Sequence, residues 1–250
     1  MRIVSLVPSL TLTLFDFGLD ATSIVGRTPW CIHPAESVAD VPVVGGTKTP
    51  TLSKIEAARP DLVVMDRDEN PKAVYDWCQE KGIPTFVCHV QHPHDVPAML
   101  RELGRAVNRT EQAETWAKQI ESLLNDPLPT SQRIGLPLIW HEPLMAANGN
   151  TYAGNMLTCT GFSVPKIEPE GTGYPVVNAA ILVEHDVTDL FLSSEPHDFT
   201  VEEGESLFKV LQQLTATPPR VHHIDGEDLT WMGTRTLTGL KRLRTKWSQP

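Results

Sequence analysis

The chain has 250 residues, 40% of them hydrophobic and 21% charged, which suits one large domain or two lobes of about 100–150 residues each. Its formal net charge of −10 repels nucleic acid and anionic lipid, so neither is expected as a partner. No run of 18 apolar residues occurs, so no transmembrane helix and no membrane insertion are expected.

Met1 to Val7 is too short and too quickly polar for a secretory leader and reads as a strand. The expectation is a cytoplasmic protein, or a periplasmic one whose leader has been removed. Strand Arg2–Val7 closes at Pro8. Ser9 is positioned to cap a helix over Leu10–Phe17, which stops at Gly18. Ser23–Gly26 is a short strand, and Thr28–Thr49, with three prolines and two adjacent glycines, reads as mostly loop. A helix over Leu52–Ala58 precedes a buried strand over Asp61–Met65. Pro71 starts a helix through Lys81, Thr85–His89 is a strand, and Val96–Val107 is an amphipathic helix. Thr110–Leu124, free of Gly and Pro, is a strong helix with Thr110 as its cap, broken by the two prolines of Asn125–Ser131. Strands are then expected at Arg133–His141, Asp189–Ser193 and Arg220–Ile224. Helices are expected at Thr151–Cys159, Asn178–Val183, Val201–Leu214 and Thr234–Trp247. Strands alternating with helices predict an α/β fold with parallel sheets.

One pattern occurs twice. Thr51–Asn70 runs helix, Asp61-Leu62, apolar strand, polar loop, and Asn178–Pro196 repeats that order around Asp189-Leu190, 128 residues later. A duplication at half the chain length predicts two Rossmann-like lobes joined by a single long helix: 1–108 as the N-terminal lobe, 109–128 as the connecting helix and 129–250 as the C-terminal lobe. Two lobes make a cleft, and clefts are where small ligands bind.

Several segments in this order resemble one family: Arg2-Ile-Val-Ser-Leu-Val-Pro-Ser9, the Val43-Val-Gly-Gly46 turn, Arg59-Pro-Asp-Leu62, Lys81-Gly-Ile-Pro84, Asn148-Gly-Asn150 and Trp231-Met-Gly-Thr-Arg235. Over essentially its whole length the chain resembles the helical-backbone substrate-binding proteins, the group that contains the cobalamin- and ferric-siderophore-binding components of ABC importers. The resemblance implies a rigid connecting helix and a shallow inter-lobe cleft. Its departures are specific. The surface glutamates that dock importer members to the permease align with Ser53 and Ala180, so ABC permease docking is doubtful. The family's Pro-Ser-x-Thr-Glu becomes Pro8-Ser-Leu-Thr-Leu12. The aromatic cleft positions of cobalamin binders align with Thr47, Asp66, Met145 and Tyr174, of which Tyr174 alone keeps a ring. The resemblance therefore implies a more polar cleft.

In open α/β sheets the loops at the carboxyl ends of strands hold the ligand. Those loops carry mixed charge here, and Lys48 and Arg67 suit an anion or a metal chelate. In Trp30-Cys-Ile-His33, Cys31 and His33 sit two apart in an extended loop, so both can face one metal ion or the metal of a bound corrinoid or haem. The alternative is that Cys31 is a small core residue and His33 bonds its own loop. The tract Cys88-His-Val-Gln-His-Pro-His94 resembles a metal tract, but capping and solvent exposure of His92 and His94 is the reading taken. His222 and His223 alternate faces, and Trp77, Trp116 and Trp247 are assigned to packing. The four cysteines, Cys31, Cys78, Cys88 and Cys159, show no CxxC spacing and are expected reduced. There is no GxSxG, Walker or HExxH signature, so no enzymatic role is expected. The expected ligand-binding residues are Trp30, Cys31, His33, Thr47, Lys48, Asp66, Arg67, His141, Met145, Asn148, Tyr174 and Trp231. The candidate ligands are a corrinoid, a siderophore-like complex, haem, another metal chelate or a divalent metal. The expected function is binding of such a small polar or metal-containing molecule. An importer component and an enzyme using the same cleft are the alternatives.

Overall fold

The computed structural model describes residues 1–128, 132–167 and 173–247, so residues 129–131 of the predicted helix break lie outside it. Among the described residues no helix is long and apolar enough to cross a membrane. The chain forms two compact units. The first comprises Met1–Val90, Asp95–Glu121 and Met232–Arg235, and the second Gln91–His94, Ser122–Trp231 and Thr236 onward. One helix, α6 (Thr110–Asn125), carries the chain from the first unit to the second.

In the first unit, β1 (Ile3–Ser5), β2 (Ile24–Gly26), β3 (Leu62–Asp66) and β4 (Thr85–Cys88) form one parallel sheet in the order β2-β1-β3-β4. Val4, Val63 and Met65 from its interior strands, and Leu6 just past the end of β1, pack with Ile55, Val74 and Cys78 from the covering helices. All five residues of β3 are buried, which explains why this strand reads as an unbroken apolar run. Helix α1 (Pro8–Asp16) begins two residues earlier than the sequence suggests. Pro8 occupies its first turn, the cap position is Val7, and no side chain caps it. Ser9 is buried inside the helix rather than capping it; proline at the first helical position needs no N–H partner there. The loop-rich stretch after β2 also contains a short helix, α2 (Ala35–Ala39). Next come α3 (Leu52–Ala58), α4 (Lys72–Glu80) and α5 (Val96–Ala106). Arg101 of α5 is bonded by both Glu114 and Glu121 of α6, at 2.7 and 2.6 Å, which fixes the connecting helix to this unit.

In the second unit, β5 (Gly135–Trp140), β6 (Met145–Ala146), β7 (Asp189–Ser193) and β8 (Arg220–Ile224) lie in the order β6-β5-β7-β8. The sheet is parallel apart from β6, a two-residue edge strand antiparallel to β5. An antiparallel edge needs only a short reversal of chain, which Glu142–Leu144 supplies. Around this sheet lie α7 (Tyr152–Thr158), α8 (Ala179–Glu184), α9 (Val201–Leu214), α10 (Gly226–Thr230) and α11 (Arg235–Trp247). Two helices start on side-chain caps, one residue later than the expected ranges: Thr151 accepts from the Gly154 N–H, and Asn178 from the Ile181 N–H. Leu138, Leu190, Leu192, Leu182 and Leu211 fill the core.

The two copies of the repeat become α3–β3 and α8–β7. Each strand occupies the same interior place in its sheet, and each link contains one left-handed residue, Arg59 at φ 48° and Asp186 at φ 51°. The aspartates of the two copies differ in depth. Asp61 is exposed and accepts from the backbone N–H of Arg2. Asp189 is buried and accepts from Arg133 Nε at 3.0 Å, His222 Nε2 at 2.7 Å and Thr188 Oγ1 at 2.7 Å. Trp247 closes over this group, with His222 at 4.4 Å and Phe191 at 5.3 Å between ring centres, in line with its assigned packing role.

Burial by itself would raise the Asp189 pKa, but the bonds from His222, Arg133 and Thr188 outweigh it and hold the carboxyl well below the usual range. A depressed pKa contributes stability above the ordinary carboxylate range and loses it as the pH falls toward the folded value. Asp189→Ala should therefore lower unfolding stability by about 3–5 kcal/mol near neutral pH, because Arg133 is left without its buried partner. The difference from wild type should shrink below about pH 4. Urea titrations at both pH values check this, and a loss below about 1 kcal/mol at neutral pH contradicts it.

Candidate functional site

Each unit gathers its chemically active side chains where parallel strands end and loops begin. In the first unit the organiser is Asn70. Its amide donates to the carbonyls of Leu6 and Thr47, at 3.2 and 3.0 Å, while its oxygen accepts from the Asp66 N–H at 2.9 Å. One side chain thus ties the exit of β1, the loop before α3 and the exit of β3. Asp66, 3% exposed, caps the turn below it, accepting from the N–H groups of Asp68 and Glu69 and from the Cys88 thiol at 3.3 Å. Burial raises its pKa despite those bonds. Gly45, at φ 119°, lets the neighbouring loop reverse: a Cβ there would lie 2.5 Å from the backbone nitrogen of Thr51.

Around this floor stand the exposed groups. Lys48 donates to the Asp68 carbonyl, Arg67 projects from the end of β3, and Trp30 is 65% exposed on the loop after β2. Cys31 points the other way. It is fully buried, with the hydroxyl of Thr11 donating to its sulfur at 3.0 Å and the Thr28 hydroxyl sharing a hydrogen bond with it at 3.2 Å. His33 is half-buried, and no third metal-ligating group joins the pair among the described residues. Arg27 is spent on the carbonyls of Val38, Val41 and Thr28.

In the second unit Asn148 does for its loop what Asn70 does in the first. Buried, it donates to the Ile167 carbonyl and accepts from the Ile167 N–H, at 2.9 and 2.8 Å. Ser193, at the end of β7, bonds both backbone groups of Glu195. Gly226 passes so close to that turn that a Cβ would sit 2.6 Å from the Glu195 nitrogen. Glu195 accepts from the indole N–H of buried Trp231 at 2.9 Å. Met145 is half-buried, while Tyr174 and Trp140 are 47% and 41% exposed.

A three-residue cluster lies beside them. His141 follows β5, His197 follows β7, and Glu203 is in the first turn of α9. The Glu203 carboxylate is 3.2 Å from His141 Nδ1 and 3.1 Å from His197 Nε2, and the two imidazoles stack with centres 5.7 Å apart. The Thr200 backbone N–H, then His197 and His141, hold the Glu203 carboxyl below its usual range. Glu203 was legible in the sequence only as the end of a Thr200-x-x-Glu203 capping box; its histidine neighbours come from two other loops. A second group, His92, His94 and Cys159, joins the histidine tract to a cysteine far along the chain. There His92 Nδ1 accepts the backbone N–H of His94 at 3.1 Å, a local capping contact. Burial pushes the Cys159 thiol up to about 11.

The family described as "Periplasmic binding protein" matches residues 3–222. A vitamin B12-binding protein of Pectobacterium atrosepticum is 26% identical over 125 residues, 50% of this chain and 44% of that protein. A vitamin B12-binding protein of Yersinia pestis is 25% identical over 64% of this chain and 58% of its own length, so the chain spans about half the length of the curated relatives it matches. Among solved structures, the periplasmic heme-binding protein RhuT from Roseiflexus sp. RS-1, in apo form, has a TM-score of 0.80 at 19% identity, covering 99% of this chain and 97% of that one. Vitamin B12-binding BtuF of Vibrio cholerae has a TM-score of 0.77 at 15% identity, covering 98% and 95%. At these identities the structures establish the shared fold.

The raised Asp66 pKa has a measurable consequence. A carboxyl with a raised folded pKa contributes fully below its unfolded value of about 3.9 and loses that contribution as the pH rises through the folded value. Asp66→Asn keeps the oxygen that caps the turn and cannot ionise. Its melting temperature relative to wild type should therefore rise between about pH 4 and neutrality and then level off. A pH series of thermal melts checks this, and a difference that falls over that interval refutes it.

Proposed function

The chain belongs to the periplasmic binding protein family, and on that premise we propose that it binds a small metal-containing ligand, of the corrinoid, haem or ferric-siderophore class, with its strand-end loops. The observation that carries this reading is the pairing of large exposed rings with rigid floors. Trp30 in one unit and Tyr174 and Trp140 in the other stand exposed beside loops whose backbones are bonded by Asn70 and Asn148. Exposed aromatic faces on fixed loops suit a flat, partly apolar ligand. Lys48 and Arg67 add positive charge for peripheral carboxylates, which haem carries. Thr47, Asp66, Cys31 and Asn148 belong to the floor and act by positioning. His33, Met145 and Trp231 complete the proposed set beside the rings. The named relatives are binding proteins for vitamin B12 and heme, and we assign this chain a binding role without turnover.

A second element concerns partners. Ser53 and Ala180 are both exposed second residues of their helices, α3 and α8, each leading into an interior strand. These equivalent places carry no charge, and the nearby Glu56 is paired with Lys81 at 2.8 Å. We propose that the chain docks on an importer permease weakly or through other residues, since paired charges set encounter and specificity at such interfaces. The relatives with solved structures named above are periplasmic binding proteins, and we place this chain in the periplasm with them rather than in the cytoplasm.

Titration with haemin, aquocobalamin and a ferric hydroxamate, followed by absorbance, tests the binding role. One of the three should bind with saturable 1:1 stoichiometry, and Trp30→Ala and Tyr174→Ala should each weaken it by about tenfold, equivalent to about 1.4 kcal/mol. Absence of saturable binding by all three sinks the proposal, as does unchanged affinity in both variants.

A further inference from the structure

Within the second unit, we propose that His141, His197 and Glu203 form a binding site for one divalent late transition-metal ion, of the zinc, cobalt or nickel class. The site does not rest on the organic-ligand reading above, because a bare ion can occupy it alone.

Donor chemistry and spacing carry the proposal. Two imidazoles and one carboxylate suit this group of ions, and three protein ligands leave a position open. Metal–nitrogen and metal–oxygen bonds of about 2.0–2.2 Å in tetrahedral geometry place neighbouring donor atoms roughly 3.3–3.6 Å apart. Here the carboxylate-to-imidazole separations are 3.2 and 3.1 Å. All three donor atoms lie within 4.8 Å of one another, so a modest rotation of one ring completes the triangle. The ligands come from three rigid places: the end of β5, the turn after β7, and the first turn of α9. Glu203 is oriented by the Thr200 backbone N–H at 2.8 Å, and the backbone N–H of His197 ties its turn to the Ile139 carbonyl at 3.3 Å. Such second contacts hold metal ligands in place. Phe199 packs edge-on against both imidazoles, at 6.0 and 4.8 Å between centres.

The open position has somewhere to face. His141 and Glu203 line a cavity of about 200 Å³ whose other walls include Leu144, Leu192, Phe199 and Leu207. An ion there would sit at the mouth of an apolar pocket, with room for water or a small coordinating molecule. The purely structural reading, a carboxylate bridging two imidazoles to anchor α9, makes a different prediction, because it requires no ion.

Equilibrium dialysis with Zn²⁺ near neutral pH, followed by metal analysis, decides between them, with Co²⁺ as a visible-absorption probe of the same site. Wild type should take up one Zn²⁺ per chain. His141→Ala, His197→Asn and Glu203→Gln should each weaken uptake by at least about tenfold, since even loss of an outer contact costs that much. His197→Asn and Glu203→Gln retain hydrogen-bonding groups, so their circular dichroism and melting report whether the fold survives. The double variant His92→Ala/His94→Ala should bind as wild type does. No stoichiometric uptake by wild type overturns the proposal. Uptake that survives His197→Asn and Glu203→Gln, or that disappears in the His92/His94 variant, overturns it as well.

Discussion

A parallel sheet leaves polar backbone groups unpaired wherever a strand stops and the chain turns away, and those groups need partners before anything can be built above them. In the first unit Asn70 meets much of that need with one side chain bonded to three segments. Asn148 and Ser193 answer it in the second unit. The same constraint decides where function can sit. Once the strand ends are tied, the loops above them are fixed in place, and side chains such as Trp30 and Tyr174 can remain exposed without their backbones moving.

The two units solve the problem differently because their polar residues lie at different depths. In the first, a carboxylate is buried at the carboxyl end of β3, where Asp66 takes two backbone N–H groups and a thiol. In the second, a carboxylate is buried at the opposite end of the equivalent strand, where Asp189 is satisfied by Arg133 and His222. The burial that weakens the charge of Asp66 is overridden at Asp189 by a cation and an imidazole. The repeat therefore preserves backbone architecture while the chemistry of each copy has diverged.

The cysteines and histidines divide along the same line. Among the described residues all four cysteines are free and buried, and Cys31 is hydrogen-bonded to hydroxyls where the sequence also allowed a metal pair with His33. His141 and His197 of the second unit instead converge on one carboxylate, Glu203. A half-buried Glu203 between two imidazoles has the donor chemistry that Cys31 lacks, since the Cys31 sulfur faces the core.

Read alone, the sequence determined the α/β class, the duplicated helix–strand unit, the connecting helix and the family resemblance. Each depends on local periodicity or on short motifs in order, such as the unbroken apolar run Leu62–Met65 or Arg59-Pro-Asp-Leu62. It also placed Lys48, Arg67 and His141 on strand-end loops, while Tyr174 entered through the family resemblance alone. Only the tertiary structure decided which way those loops face. Cys31 and His33 are two residues apart, and an extended loop would point them together, yet packing turned the thiol inward. His141, His197 and Glu203 belong to separate elements, and nothing in their spacing links them. Strand order brings the ends of β5 and β7 side by side and sets the first turn of α9 against both, so their meeting is a property of the sheet rather than of any segment of the chain.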